Sequence, residues 1–314
     1  MVITVTLNPA VDKVLEVPGF RVGAHARAVV RSIQAAGKGV NVARGLARLG
    51  GRPAASGFVG ENEERMFVES LADEGVEARF CTVTQPTRTN TTVLDPENRT
   101  TTHLREEGFD ISAADRDGLS DLLTTWLRDR EDATVVFAGS LPPGVEPDHF
   151  AALIGRCRKA GAEVVVDTSG PALRAAYGTG QVSVLKPNLL ELGQLLGKEV
   201  AEEDAVEAAR GLFEQGGDLR TVLLTLGERG AWLITPEDAA GRRCPLEPKE
   251  LRNTVGCGDA FLAGWLRGRQ VSGQGGGALE WAVAAGTASA AKETTVGYTL
   301  EDVRAFRGRC RPIR

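Results

Sequence analysis

The chain has few cysteines and histidines, and neither type is grouped. Five cysteines are spread between positions 81 and 310 without a C-x-x-C pair, and an odd total does not suit a disulfide framework. The three histidines, His25, His103 and His149, form no cluster and are interpreted as unligated. These absences argue against a zinc site and against a small secreted scaffold.

Long apolar runs and blocks of like charge are also missing. No stretch approaches 18 uninterrupted apolar residues, and the N-terminus lacks the basic segment of a signal peptide. The net charge is −5, which does not favour binding to nucleic acid or to an anionic membrane surface. We therefore expect a cytoplasmic protein that acts on small molecules.

Two common nucleotide-binding signatures are absent as well. The segment "AAGKGVN" has a Gly-Lys pair, but it lacks the hydroxyl residue after the lysine and the glycine five residues earlier that a Walker loop requires. Neither "GKGVNV" nor "GCGDAF" ends in the small residue of the G-x-G-x-x-G fingerprint, so a dinucleotide-dependent oxidoreductase has little support.

What the chain does contain is a regular alternation of strand-like and helix-like segments. The runs "MVITVTLN", "PAASGFVG", "ATVVFAGS", "AEVVVDTS", "VSVLKPN" and "RTVLLTLG" are rich in β-forming residues and are separated by amphipathic helical patterns. This order predicts an α/β fold with a mostly parallel central sheet and helices on both faces. We expect one domain covering residues 1–314.

Two segments interrupt this alternation. The segments of about residues 11–35, which is rich in valine, and 80–108, which is rich in threonine, show no clear helix, and "DPENRT" within the second is typical of a hairpin turn. We predict that they form a small antiparallel β lid over the strand ends, where open α/β folds bind ligands. The lid is also a candidate surface for a homodimer.

The segment "NTVGCGDAFLAG" at 253–264 predicts an anion site beside a carboxylate. Gly256 and Gly258 leave their amides unshielded at the start of a helix, whose N-terminal end favours negative charge. Asp259 beside such a site suggests a chemical task, with a helix cap as the alternative. We expect the amides of Gly256, Cys257 and Gly258 to hold a developing negative charge, and Asp259 to act as a general base.

Other candidate binding residues lie at predicted strand ends and helix starts. Asp12 can accept hydrogen bonds from two sugar hydroxyls, and Asn41 brings a donor and an acceptor to the start of a helix. Gly37 and Gly39 permit close backbone approach, although each of these residues could also serve a turn or a cap. Lys38 is a weaker candidate, because surface lysines are usually only solvated.

The segment "KPNLLE" predicts a site for a hydrated cation. Asn188 and Glu191 lie one helical turn apart and face the same way. Their oxygens suit Mg²⁺ bound through water, and an ordinary capping arrangement is the alternative.

An ordered set of motifs resembles the phosphofructokinase B branch of the ribokinase-like sugar kinases. The motifs are "TLNPAVD", "AGKGVNVARGLARLG", "TRTN", "GSLPPG", "KPNLLE", "TLGERG" and "NTVGCGDAFLAG", which together span nearly the whole chain. The resemblance implies a ribokinase-like three-layer α/β/α fold that uses ATP and Mg²⁺. The family usually has alanine or serine where Cys257 stands, and a helix N-terminus would make that thiol reactive by lowering its pKa.

The resemblance also assigns roles at the nucleotide end of the site. Thr225, Gly227 and Gly230 of "TLGERG" would hold nucleotide phosphate and ribose, although a plain hairpin also explains the two glycines. Lys186 of "KPNLLE" would belong to the same cofactor-binding group. Lysine is scarce, at seven positions, so its occurrence inside motifs at positions 38 and 186 favours a role.

At the other end of the site, the resemblance implies a phosphorylated sugar. Arg88 of "TRTN" would grip its phosphate and Ser140 of "GSLPPG" would add a hydroxyl, with Arg27 and Arg105 as further lid candidates. The expected reaction transfers the γ-phosphoryl group of ATP to a hydroxyl of a ketohexose phosphate. The substrate that we expect is fructose 1-phosphate. Tagatose 6-phosphate and fructose 6-phosphate are the alternative substrates, and a catalytically silent sugar-phosphate sensor is the alternative of a different class.

Overall fold

A computed structural model describes residues 1–128, 130, 132–273 and 275–313. The strands are β1 Val2–Thr6, β2 Ala10–Glu16, β3 Val29–Ala36, β4 Pro53–Gly60, β5 Glu77–Ala78, β6 Cys81–Val83, β7 Thr89–Asp95, β8 Thr100–Arg105, β9 Thr134–Ala138, β10 Glu163–Asp167, β11 Val184–Leu185, β12 Thr221–Thr225, β13 Ala231–Ile234, β14 Ala239–Arg243 and β15 Arg311–Pro312. The helices are α1 Lys38–Arg48, α2 Glu64–Asp73, α3 Ala113–Leu127, α4 Pro147–Lys159, α5 Gly170–Gly178, α6 Leu189–Leu196, α7 Ala205–Arg210, α8 Cys257–Ser272, α9 Gly276–Ala290 and α10 Leu300–Arg307.

The main sheet is parallel through its centre and antiparallel at one edge. Its order is β15-β14-β13-β12-β11-β10-β9-β1-β4-β5, with β6 also paired to β4. The pairings from β12 to β5 are parallel, whereas β12-β13, β13-β14 and β14-β15 are antiparallel. The predicted α/β fold with a mostly parallel central sheet is confirmed.

Helices cover both faces of this sheet, which explains why its central strands are almost uniformly apolar. Along β10, Val165 packs with residues of α1, α8 and α9, while its neighbours Val164 and Val166 pack with residues of α3, α4 and α5. Successive side chains of a strand point to opposite faces, so one valine-rich strand supplies both cores. The result is a three-layer α/β/α arrangement.

A second sheet of four strands in the order β3-β2-β7-β8 forms the lid. The β2-β3 and β7-β8 pairings are antiparallel, but β2 and β7 are parallel. The sequence prediction of an antiparallel lid therefore holds for two of the three pairings. The predicted hairpin turn lies between Asp95 and Thr100, where the Asp95 carboxylate accepts backbone hydrogen bonds from Glu97 and Asn98.

The predicted start of the second lid segment, at about residue 80, is wrong. Residues 81–83 form β6, which pairs with β4 of the main sheet, and the lid strand β7 begins only at Thr89. Both pieces are rich in threonine and valine, so composition alone does not separate a main-sheet edge from a lid strand. Among the described helices, none has the length and apolar character needed to cross a membrane.

Candidate active site

Strand ends and helix starts meet at one edge of the main sheet, beneath the lid. β1, β10 and β11 bring their carboxyl ends there, and α1, α6 and α8 begin there. In a parallel sheet all carboxyl ends lie at the same edge, and helices that follow strands present their N-terminal ends to it. Residues distant in sequence are thereby gathered around one space.

The start of α1 packs closely against the end of β1. Gly37 has φ 132°, and a Cβ at Gly39 would lie 2.4 Å from the Thr6 Oγ1 and 3.1 Å from the Val5 carbonyl oxygen. The Thr6 hydroxyl also accepts a hydrogen bond from the Val40 amide at 3.0 Å. The two glycines are required here by backbone conformation and by space, which fixes where the next side chains of α1 point.

Asn41 and Asp259 are joined within the site. The Asn41 Nδ2 donates a hydrogen bond to the Asp259 Oδ2 at 2.9 Å, and both side chains are nearly fully buried. Asp259 is the third residue of α8, whose cap is Gly256, and the Asp259 side chain makes no capping bond. The alternative interpretation of Asp259 as a structural cap is therefore wrong.

The surroundings of Asp259 raise the pKa of its carboxyl group. Burial, followed by the negative charge of Asp167, raises the pKa of Asp259 to about 6, against the opposing effects of Asn41, Lys38 and Lys186. A carboxyl group with this pKa is ionised at neutral pH and still accepts a proton readily. Those are the properties that a general base requires.

The first turn of α8 offers backbone amides beside that carboxylate. Gly256 has φ 80°, a left-handed conformation, and a Cβ there would lie 2.5 Å from the Thr295 Cγ2. The first intrahelical bond runs from the Ala260 amide to the Gly256 carbonyl at 2.9 Å. Helix geometry therefore leaves the amides of Cys257 and Gly258 without an intrahelical acceptor, as an anion site requires.

Two lysines share one buried carboxylate in the same space. The Lys38 Nζ lies 3.3 Å from the Asp167 Oδ1, and the Lys186 Nζ lies 3.2 Å from the Asp167 Oδ2. Asp167 is 1% exposed, and its charge is the main cause that raises the pKa of Lys38. Both ammonium groups thus lie against one carboxylate, and a Cβ added at Gly258 would lie 3.6 Å from the Lys186 Nζ.

Asp167 is the residue that the sequence analysis missed. It is the last residue of β10, within the quoted run "AEVVVDTS", and a carboxylate at the carboxyl end of a predicted parallel strand was the available signal. Its partners are 129 and 19 positions away along the chain, so no local motif links it to either lysine.

The lid carries a row of polar residues that includes Asp12. In register across the sheet, Gln34 of β3 faces Asp12 of β2, Asp12 faces Asn90 of β7, and Asn90 faces Arg105 of β8. Residues opposite one another on adjacent strands share a face. The Asn90 Nδ2 donates to the Asp12 Oδ1 at 3.0 Å, and burial raises the pKa of Asp12. Arg27 lies exposed in the segment that precedes β3.

Arg88 connects the lid to the end of β1. Its Nη2 donates to the Asn8 carbonyl at 2.9 Å, its Nε to the Pro9 carbonyl at 3.1 Å, and its Nη1 to the Glu106 carbonyl at 3.2 Å. A guanidinium has five N–H groups, so two remain beyond these three bonds. Ser140 follows β9, and its Oγ lies 3.4 Å from the Nδ2 of Asn8, which brings the "GSLPPG" and "TLNPAVD" segments together.

Asn188 and Glu191 form a reciprocal capping box at the start of α6. The Glu191 amide donates to the Asn188 Oδ1 and the Asn188 amide donates to the Glu191 Oε2, both at 2.8 Å. The capping alternative thus describes their mutual contact, and it leaves the second carboxylate oxygen of Glu191 without a role in the box. Within the described residues, no group of three or more His, Cys, Asp or Glu side chains could hold a metal ion.

The "TLGERG" segment connects antiparallel strands β12 and β13. Gly227 and Gly230 have φ of 63° and 103°, and a Cβ at Gly230 would lie 2.2 Å from the Arg242 carbonyl oxygen. The hairpin alternative therefore accounts for both glycines. Thr225 forms a bridge with Asn188, so this hairpin lies beside the start of α6.

The expected effect of the helix on Cys257 is wrong in direction. Burial raises the pKa of the Cys257 thiol, and the Cys257 Sγ lies 3.6 Å from the Asn253 carbonyl. The thiol faces back into the loop before α8, where desolvation and the charge of Asp259 outweigh the hydrogen bond with Ser289.

The fold and this gathering of a buried carboxylate, free helix amides and paired lysines are those of a small-molecule kinase. The model of the pfkB family carbohydrate kinases matches residues 4–303, and the chain belongs to this family. It is an ATP-dependent sugar kinase, as the resemblance in the sequence predicts.

Individual relatives agree with this membership. The 1-phosphofructokinase of Rhodobacter capsulatus is 38% identical over 264 residues, which cover 84% of this chain and 82% of that protein. The ATP-dependent 6-phosphofructokinase isozyme 2 of Escherichia coli is 31% identical, covering 82% of each chain. A structure of phosphofructokinase-2 from Escherichia coli with substrates and products superposes with a TM-score of 0.88 at 27% identity, covering 98% of each chain.

Proposed function

We propose that the enzyme phosphorylates fructose 1-phosphate to fructose 1,6-bisphosphate with ATP. The observation that carries this proposal is the buried Asp259 carboxylate, hydrogen-bonded to Asn41 at 2.9 Å at the start of α8 and close to a pair of lysines. It combines a base of suitable pKa with positive groups for a transferring phosphoryl group. The naming of several relatives as 1-phosphofructokinases supports the choice of sugar.

In this proposal Asp259 accepts the proton of the attacking sugar hydroxyl. Its ionised form predominates at neutral pH because its pKa is about 6, and the Asn41 amide holds one carboxylate oxygen in place. The second oxygen then faces the hydroxyl. Negative charge that develops on the phosphoryl oxygens meets the amides of Cys257 and Gly258, which need no rearrangement to receive it.

Lys38 and Lys186 add positive charge near the site of the transferring phosphoryl group. Asp167 holds both ammonium groups within 3.3 Å of its oxygens, so their positions are set before a ligand arrives. We assign Lys38 to the substrate side, since it begins α1 next to Gly37 and Gly39, and Lys186 to the nucleotide side, since it precedes the hairpin and α6.

Mg²⁺ would be held at the start of α6. Glu191 keeps one carboxylate oxygen outside its capping box with Asn188, and a single carboxylate with water and nucleotide phosphates suits this ion. When bound there, Mg²⁺ would neutralise charge on the nucleotide phosphates. Asn188 would act by orienting Glu191, and Thr225, Gly227 and Gly230 would line the neighbouring nucleotide-phosphate region.

The phosphate of the sugar would lie between the lid and the end of β1. Arg88 has two N–H groups beyond its three carbonyl bonds, and Arg105 lies beside Asn90 and Asp12 in the lid row. In this arrangement Asp12 would accept hydrogen bonds from sugar hydroxyls, and the two arginines would bind the phosphate with Ser140 as an added donor.

A substrate panel tests the proposal directly. ATP turnover would be measured with fructose 1-phosphate, fructose 6-phosphate, tagatose 6-phosphate, fructose and ribose. We expect the highest kcat/KM with fructose 1-phosphate. A preference for fructose 6-phosphate would indicate a 6-phosphofructokinase, the activity named for the 31% identical Escherichia coli relative. A preference for tagatose 6-phosphate would indicate a tagatose-6-phosphate kinase. Tight sugar-phosphate binding without turnover would indicate the silent sensor.

The outer face of the lid supports a homodimer. Ile33 of β3 and Leu104 of β8 lie in the row that alternates with the Asp12 row, and both are more than half exposed. Burying such side chains against a second copy would be favourable. Light scattering after gel filtration should report a dimer that Ile33→Asp converts to a monomer, whereas Val271→Asp at the end of α8 leaves it intact.

A further inference from the structure

Two cysteines face each other at the antiparallel edge of the main sheet, outside the candidate active site. Cys244 directly follows β14 and Cys310 directly precedes β15. The strands pair antiparallel with Arg242 opposite Pro312 and Arg243 opposite Arg311. One step further along the same register places Cys244 opposite Cys310.

The kind of pair that they form can be read from the ladder. The Ile313 amide donates to the Gly241 carbonyl at 3.1 Å, so residues 241 and 313 are a hydrogen-bonded pair. Antiparallel ladders alternate between hydrogen-bonded and non-hydrogen-bonded pairs, and Pro312, which has no amide proton, occupies a non-hydrogen-bonded position. Cys244 and Cys310 occupy the next such position, where Cα atoms lie about 4.5 Å apart, within the range that a disulfide spans.

Side-chain contacts hold the two thiols together. Both sulfurs lie near one acceptor, the Phe306 carbonyl oxygen, at 3.3 Å from the Cys244 Sγ and 3.7 Å from the Cys310 Sγ. On the far side of the pair, the Arg309 Nη2 donates to the Pro245 carbonyl at 3.1 Å. The backbone is therefore fixed on both sides of the cysteine pair.

The same arginine is anchored by a carboxylate. Arg309 makes a two-pronged contact with Glu250, with distances of 3.2 Å from Nη1 to Oε1 and 3.0 Å from Nη2 to Oε2. A bidentate pair of this kind restricts the guanidinium and the chain that carries it. The segment at Cys310 is therefore tied to the loop after Cys244 without a covalent link.

The two thiols differ in acidity. The interaction between the two thiols lowers the pKa of Cys244 and raises the pKa of Cys310, and the charge of Arg309 favours the Cys244 thiolate further. The thiolate is the reactive form of cysteine. Cys244 is therefore the thiol that reacts first and Cys310 the one that follows.

We propose that Cys244 and Cys310 are a redox-active dithiol that a small peroxide oxidises to a reversible disulfide. The Cys244 thiolate attacks one oxygen of hydrogen peroxide, the O–O bond breaks, and a sulfenic acid and hydroxide form. The Cys310 thiol then loses its proton and its sulfur attacks the Cys244 sulfur, which releases the sulfenic oxygen as water. In total, two thiols and one peroxide give one disulfide and two waters.

The consequence for the fold is a covalent loop from residue 244 to residue 310. This loop contains α8, α9 and α10, and therefore Asp259 and the amides before it. A cross-link across a long loop restricts the unfolded chain and stabilises the folded one. Oxidation should raise Tm by about 3–8 °C for a chain of this size.

The test treats the full chain with hydrogen peroxide, blocks free thiols and maps peptides without reduction. We expect a peptide pair joined through Cys244 and Cys310, a mass lower by about 2 Da, and the rise in Tm, all reversed by dithiothreitol. Cys310→Ala should abolish the cross-link and leave a Cys244 sulfenic acid that dimedone traps. Cys310→Ser gives the same readout should the alanine variant fold poorly.

Cys81→Ser is the matched control, because Cys81 is partly exposed and lies away from this pair on β6. This variant should keep the cross-link and the rise in Tm. The proposal is overturned if Cys244 and Cys310 stay free after peroxide treatment, if they oxidise only to sulfinic acids, or if Cys81 or Cys257 is found in the cross-link instead.

Discussion

The Asn41 amide donates a hydrogen bond of 2.9 Å to the Asp259 carboxylate, although the two residues are 218 positions apart. The bond joins the start of α1 to the start of α8 and fixes one oxygen of the proposed base. It also lowers the pKa of Asp259 against the larger effect of burial. In the proposed mechanism Asn41 is thus a positioning residue for Asp259.

Removal of this bond should move the pH dependence of the reaction. Asp259 acts as base only when ionised, so kcat/KM should fall as pH falls below about 6. Asn41→Ala removes a donor to the ionised form and raises the pKa of Asp259 further. The acidic limb of the kcat/KM profile should move up by about one pH unit, the size of one hydrogen bond to a charge. Asn98→Ala in the lid turn is the control and should leave the limb in place.

Asp167→Asn should move the same limb in the opposite direction. The charge of Asp167 raises the pKa of Asp259, so its removal lowers that pKa and extends activity to lower pH. The two lysines also lose their shared counterion, which should cost about 3 kcal/mol of stability. Steady-state kinetics across pH, with thermal unfolding in parallel, would measure both effects. An acidic limb that moves upward would contradict this account of the charges.

The contrast between Asp259 and Asp167 shows what the sequence could predict. Asp259 stands inside a local pattern, two glycines followed by an acid at a helix start, and its place could be inferred from one short segment. Asp167 has no such pattern, because its partners Lys38 and Lys186 come from other elements that only the sheet order brings together.

The same limit applies to the lid and to the sheet edge. Alternating strands and helices predicted the parallel centre, but the antiparallel strands β13 to β15 are short and carry no comparable pattern. The β6 strand was assigned to the lid because its composition matches that of β7. Which sheet a short threonine-rich strand joins depends on its partners and not on its own sequence.

Arg88→Ala tests how the sugar phosphate is read. If the two remaining N–H groups bind that phosphate, kcat/KM for a phosphosugar should fall by roughly 30- to 1000-fold, while any activity on unphosphorylated fructose changes little. The Arg88→Lys variant should recover only part of the lost activity, because a point charge cannot form the same paired contact.

Arg88 also bonds to three backbone carbonyls, so its loss should lower Tm. Arg31→Ala, which removes an exposed lid arginine paired with Glu16, is the matched control and should change neither value appreciably. Equal kinetic losses for both sugars would mean that Arg88 only supports the lid.

Cys257→Ala should leave the enzyme nearly as active as the parent. The proposed anion site uses the backbone amide at this position, and alanine supplies the same amide in a helix. Because burial raises the pKa of the thiol, Cys257 in the parent should react with iodoacetamide at pH 7.5 at least about tenfold more slowly than free cysteine. A folded but inactive alanine variant would show that the side chain itself takes part.

The role of Asp259 as the general base is tested most directly by the kinetics and ligand affinities of Asp259→Asn. We expect a kcat lower by about 10²–10⁴-fold, the range for a lost general base, with dissociation constants for ATP and fructose 1-phosphate within about threefold of the parent. Asp115→Asn, at the equivalent third position of α3, should keep its kcat. Near-normal turnover by Asp259→Asn would contradict the assignment of Asp259 as the base.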